Sequence, residues 1–203
     1  MNKSSPQVAE DARSQQGAIL LLVSLGVFFF TSLLLYAIYV LLRLAPEVGQ
    51  IIPFYIPQGF LLTTVILVAI SVLLHMAVGA IRTERHTDFH RYVILALILA
   101  IVFFISQGTG MFWMIGQLLQ PHRTMVNLYG FTMFLVIVHA LHVIGGVAGL
   151  VFLLFGIQRR AYDHERNFPV RFCALYWHFL DVVWVIMLIC FALAAYVSKQ
   201  PVA

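Results

Sequence analysis

The 203-residue chain is 62% hydrophobic and 10% charged, with 12 Lys or Arg against 8 Asp or Glu for a formal net charge of +4. A soluble domain of this length carries about 25% charged residues, so the composition excludes a water-soluble globule, a disordered chain and a nucleic-acid-binding module with a basic surface. What remains is a polytopic helical membrane protein with almost no extramembrane domain.

A polar tail, residues 1–17, carries Lys3, Glu10, Asp11 and Arg13. Five apolar runs follow, over 18–42, 58–81, 92–117, 125–157 and 172–197. Each exceeds the ~20 residues needed to cross a bilayer, and none shows the period-two alternation of a barrel strand. The first run is also too long for the apolar region of a signal peptide, so it reads as a retained span. The sequence thus predicts an all-α bundle of five transmembrane helices, forming a single domain over 18–198. The fourth run, about 33 residues without a charge, must tilt, kink or begin outside the hydrocarbon. The stretch from Ala45 to Pro57, with Pro46 and Pro53, reads as an extended external loop.

Charge placement gives the orientation. Lys3, Arg13, Arg82, Arg85, Arg91, Arg159, Arg160, Arg166 and Arg171 fall on one side, against Arg43, Arg123 and Lys199 on the other. The positive-inside rule places the N-terminus in the cytoplasm and the C-terminus outside. In the second loop, His86, Asp88 and His90 alternate, which reads as a solvated charged loop or as a divalent-metal clip. Cys173 and Cys190 lie some 25 Å apart along one helix, too far to pair.

Ionisable residues inside spans are costly and therefore candidates for function. The fourth span holds His139 and His142, which share one helical stripe with Gly146 and Gly149, and Gly145 with Gly149 makes a small-xxx-small pair. Close helix packing with hydrogen-bonded histidines is one reading; metal or haem ligation is the other. The fifth span holds His178 and Asp181, three apart, with Trp177 and Trp184 flanking the acid as potential N–H donors. A buried polar clasp and a proton-relay carboxylate both fit. In the third span, Gln107, Gly108, Gly110 and Trp113 read as close packing with one interhelical hydrogen bond. A bis-histidine haem needs two histidines at matching depth on facing helices, and His75 with His178 is the pair that matches.

The segments NLYGFTMFLVIVHALHVIGGVAGL and ALYWHFLDVVWVIMLICF resemble subunit III of the haem-copper terminal oxidases. That family's HxLHVxxG element falls on His139, Leu141, His142, Val143 and Gly146. Its YWHFxDVVW element falls on Tyr176, Trp177, His178, Phe179, Asp181, Val182, Val183 and Trp184. The chain resembles the shorter five-helix bacterial form, which lacks the first two helices of the seven-helix form. Two family carboxylates are missing: Leu33 follows Ser32 where an acid is expected, and Gly110 stands three residues after Gln107 in place of a Glu.

The resemblance implies a non-catalytic subunit of a respiratory complex in the bacterial cytoplasmic membrane. It implies no cofactor in this chain, with haem and copper in partner subunits I and II, phospholipid in a cleft, and cytochrome c or quinol as indirect partner. A subunit of a nitric oxide reductase, and a small transporter using Asp181 and the histidines, are the alternative readings.

Overall fold

Where no water reaches the backbone, an uncharged apolar segment satisfies its own peptide groups only as a helix or a closed barrel. The computed structural model, which describes residues 6–43, 55, 59–119, 126–158 and 167–197, places five helices along the chain. They are α1 (Pro6–Arg43), α2 (Gly59–Arg82), α3 (His86–Leu118), α4 (Val126–Gln158) and α5 (Phe168–Val197). All five are long and apolar enough to span a bilayer, and no strand occurs among the described residues.

The helices outrun the apolar stretches at three N-terminal ends. α1 starts at Pro6, within what the sequence marks as a polar tail. Proline suits a first helical turn because its missing N–H would have no partner there. α3 begins at His86, so the charged segment before Tyr92 is helix and the connection shrinks to Thr83–Arg85. Asp88 sits in that first turn, within 3.9 Å of Arg85 and 4.0 Å of Arg91. On a helix, His86 and His90 share a face and Asp88 points away from it, so the alternate spacing builds no metal clip. An apolar run marks what lies in hydrocarbon, not where hydrogen bonding stops. Of the expected loop between Ala45 and Pro57, all but Tyr55 lies outside the described residues; the Tyr55 N–H donates to the Tyr129 hydroxyl at 3.1 Å.

The α2–α3 turn is closed by a Schellman arrangement. The Arg85 N–H donates to Ala80 and the Glu84 N–H to Ile81, with Glu84 at φ 58°. That left-handed position usually takes glycine.

α2, α3, α4 and α5 pack as a ring of neighbours, α2 touching both α3 and α5, and α4 touching both α3 and α5. α1 lies outside the ring against α5 and α4. Its buried stripe is Phe29, Leu33 and Tyr36, while residues such as Leu20 and Leu41 on its other faces are about 70% exposed. Leu33, where the family expectation has an acid, is therefore a packing residue.

Candidate functional site: polar contacts inside the bundle

The α4 stripe meets α5 in antiparallel register. His139 lies against Trp184, with ring centroids 5.3 Å apart at 30°. Seven residues on, Gly146 meets Trp177, which is seven residues back along α5, and the Trp177 indole N–H donates to the Gly146 carbonyl at 3.3 Å. A Cβ on Gly146 would stand 3.0 Å from the indole, so a side chain there would require the ring to shift. Cβ atoms at Gly145 and Gly149 would meet the Tyr176 hydroxyl at 3.3 Å and Cys173 Sγ at 3.5 Å. The Tyr176 hydroxyl donates to the His142 carbonyl at 2.9 Å.

The two α4 histidines do not bond across this contact, contrary to the sequence expectation. His142 uses Nδ1 on its own Val138 carbonyl at 2.7 Å, while Phe29 and Phe28 of α1 cover its ring at centroid distances of 5.1 and 6.4 Å. His139 is 1% exposed, and neither ring nitrogen has a hydrogen-bond partner among the described residues. Aromatic side chains from α1 and α5 occupy the space a polar partner would need. Gln107 behaves similarly: it is buried on α3 with both amide atoms unpartnered among the described residues, so the expected interhelical bond is absent. Gly110 shares its buried face, whereas Gly108 and Trp113 point outward and take no part in close packing.

Asp181 does not receive the donors its own helix offered. Both tryptophans spend their N–H groups elsewhere, Trp177 on Gly146 and Trp184 on the Thr64 hydroxyl at 2.9 Å. Thr64 passes the chain on to the Phe60 carbonyl at 2.7 Å, and the Phe60 ring stands edge-on to Trp184. Oδ1 of Asp181 is buried with no hydrogen-bond partner among the described residues. Nδ1 of His178 is hydrogen-bonded to Ser71 of α2. Sequence reasoning missed it because a serine in an apolar helix commonly satisfies itself on a carbonyl four residues back. Its available signal was His75, one turn further along the same face of α2.

His75 and His178 do converge, as their depths imply, with ring centroids 6.3 Å apart and tilted by 56°. They line a cavity of about 390 Å³ together with Gln15, Arg171 and Phe172. A second, more apolar cavity of about 500 Å³ is lined by Gly145, Gly146, Gly149, Phe152, Cys173 and Tyr176. Among the described residues no group of three or more His, Cys, Asp or Glu gathers as a metal site. Cys173 and Cys190 are both free thiols.

The arrangement is one of helix-to-helix clasps: indole to backbone, indole to threonine, and imidazole to serine. A family model described as cytochrome c oxidase subunit III matches residues 11–196, which takes in nearly all of α1 to α5. Cytochrome c oxidase subunit 3 of Aedes aegypti is 31% identical over 183 residues, covering 85% of this chain and 66% of that protein. The corresponding protein of Spodoptera frugiperda is 32% identical over 138 residues, covering 68% and 88%. That of Heterololigo bleekeri is 30% identical over 145 residues, covering 71% and 52%. The aligned part of this chain therefore spans between about half and two thirds of the Heterololigo and Aedes relatives. With the matched segment taking in nearly all of the five helices, the chain belongs to the cytochrome c oxidase subunit III family.

Proposed function

We propose that this chain is a non-catalytic subunit of a haem-copper oxidase that reduces dioxygen to water and pumps protons. It packs on subunit I and keeps the complex active through many turnovers. The observation that carries this reading is the family match over residues 11–196, which includes both the HxLHVxxG and the YWHFxDVVW segments. The internal chemistry supports it. Trp177, Trp184, Tyr176 and Ser71 are each committed to bonds that fasten one helix to the next. Such fixed groups suit a scaffold better than a coupling site that must open and close.

In this reading haem and copper belong to partner subunits I and II, and the donor to the complex is cytochrome c or a quinol. The membrane is the bacterial cytoplasmic membrane, with the N-terminus inside, as the Arg and Lys distribution favours. The outer face of α1 is largely exposed among the described residues and offers apolar area to a neighbouring subunit. Phospholipid fits the two cavities: the glycine-walled one takes acyl chain, and Arg171 with two imidazoles lines the other.

Removing the subunit from the purified complex tests this role. Initial electron transfer should stay near that of the intact complex, while the number of turnovers before inactivation falls several-fold. Loss of initial turnover in proportion to loss of the subunit would instead make the chain catalytic.

A further inference from the structure

α2 and α5 bring two imidazoles to one cavity. His75 and His178 both line the space of about 390 Å³, with ring centroids 6.3 Å apart and planes tilted by 56°. The Ser71 hydroxyl holds Nδ1 of His178 and so fixes that ring. With the Nδ1–H donating to the serine oxygen, Nε2 keeps a bare lone pair. A histidine anchored through one nitrogen and free at the other is the usual arrangement behind a metal-bound imidazole. His75 makes no hydrogen bond among the described residues and stands exposed on the cavity wall.

The separation is that of two rings sharing one ion. A ligating nitrogen lies about 2 Å from a metal and about 1.2 Å from its own ring centroid, so each ring contributes about 3.2 Å. Two rings on a straight line through the ion then stand about 6.4 Å apart, and a tetrahedral angle would draw them to about 5.2 Å. Imidazoles hydrogen-bonded directly to each other would also be closer, at about 5.3 Å. The observed 6.3 Å fits the nearly linear pair. Linear two-coordination is the habit of the soft, filled-shell monovalent ions copper(I) and silver(I), and it sets no angle between the ring planes.

The surroundings select the same class. Zinc takes four ligands, and among the described residues no third His, Cys, Asp or Glu joins the pair. Arg171 lines the cavity seven residues, about 10 Å of helix, from His178, and Arg82 stands as far along α2 from His75. These guanidinium charges penalise a divalent ion twice as heavily as a monovalent one. Haem would need the same two nitrogens, but a macrocycle between the rings would collide with α2 and α5, which Ser71 ties together. The α4 histidines are engaged elsewhere, His139 packed on Trp184 and His142 bonded to the Val138 carbonyl.

We propose that His75 and His178 form a two-coordinate site for a soft monovalent cation of the copper(I) class, entered from the membrane face that carries Arg82 and Arg171. Ser71 is its positioning residue. The ion gains two nitrogen ligands and keeps its oxidation state. The site is built from α2 and α5 alone, so it stands or falls independently of the complex the chain joins.

The test uses the full-length chain in phosphatidylcholine nanodiscs, with Cys173→Ala and Cys190→Ala removing the thiols and silver(I) as a redox-inert probe in chloride-free buffer. With nitrogen-labelled histidine, the first equivalent of silver(I) should shift the Nε2 signals of His75 and His178, and X-ray absorption should show two nitrogen neighbours at about 2.1 Å. In competition with a chromophoric chelator, His75→Gln and His178→Gln should each weaken binding at least tenfold. Ser71→Ala should weaken it about tenfold, as loss of a ligand's anchor does. His90→Gln, on the exposed first turn of α3, should leave it within twofold. Zinc should bind at least tenfold more weakly than silver(I). If the cysteine-free chain does not insert, the same histidine signals are followed in the unsubstituted chain as further equivalents are added. A first equivalent that shifts other histidines, or affinity unchanged in His75→Gln or His178→Gln, overturns the site. Zinc binding as tight as silver(I) overturns its assignment to a linear monovalent ion.

Discussion

The Trp177 indole N–H donates to the Gly146 carbonyl across the α4–α5 contact, and the position of a Cβ on Gly146 would be 3.0 Å from that indole. The bond and the missing side chain are one device, since the ring reaches the carbonyl only because nothing stands between them. Gly146→Ala should therefore force the two helices apart and cost about 1–3 kcal/mol, the usual penalty of overpacking. Gly149→Ala, which meets Cys173 Sγ at an ordinary 3.5 Å, should cost less than about 0.5 kcal/mol. Denaturant titration in mixed micelles distinguishes the two, and equal effects would contradict the close-approach argument.

α1 is held by few contacts, and Tyr36 makes several of them. Its hydroxyl is hydrogen-bonded to Thr132 at 3.1 Å, and its ring stands edge-on to Phe131 and Phe191. Tyr36→Phe should lose about 0.5–1.5 kcal/mol while keeping the ring packing. Tyr36→Ala should release α1 from α4 and α5, which a disulfide or spin-label pair between α1 and α4 would report as an increased separation. An unmoved α1 in Tyr36→Ala would show that Phe29 and Leu33 secure it without Tyr36.

Glu84 occupies a left-handed backbone position at the end of α2. Glu84→Gly removes the Cβ penalty there and should stabilise the α2–α3 hairpin by about 0.5–1 kcal/mol. A loss of stability would mean that the side-chain interaction of Glu84 outweighs its backbone cost.

The environments of His139 and His178 should respond in opposite ways. His139 has no hydrogen-bond partner for either nitrogen among the described residues, so His139→Phe should be neutral or stabilising by about 1 kcal/mol. His178→Phe leaves the buried Ser71 hydroxyl without its partner, which should cost about 1–3 kcal/mol. Thermal unfolding of both variants in the same detergent gives the comparison directly.

Helix number and span centres were legible because hydrophobic length alone decides them. The stripe of His139, His142, Gly146 and Gly149 was legible because helical spacing puts those residues on one face. Partner identity was not. Spacing within α5 pointed to Trp177, Trp184 and His178 as company for Asp181, yet the indoles bond to α4 and α2, and His178 bonds to Ser71 of α2. Those contacts depend on how α2 and α4 rotate against α5, which no single helix encodes. Helix starts were also hidden, since Pro6 and His86 lie in polar sequence whose hydrogen bonding continues beyond the hydrocarbon.

The oxidase-subunit reading is tested most directly by purifying the tagged chain from its own membranes and recording both the subunit composition and the optical spectrum. The chain should bring with it haem- and copper-containing subunits in a complex that reduces dioxygen. Once dissociated from them, it should carry no haem absorption of its own. A chain that purifies alone with stoichiometric haem, or that by itself drives solute or proton flux in liposomes, would contradict the account.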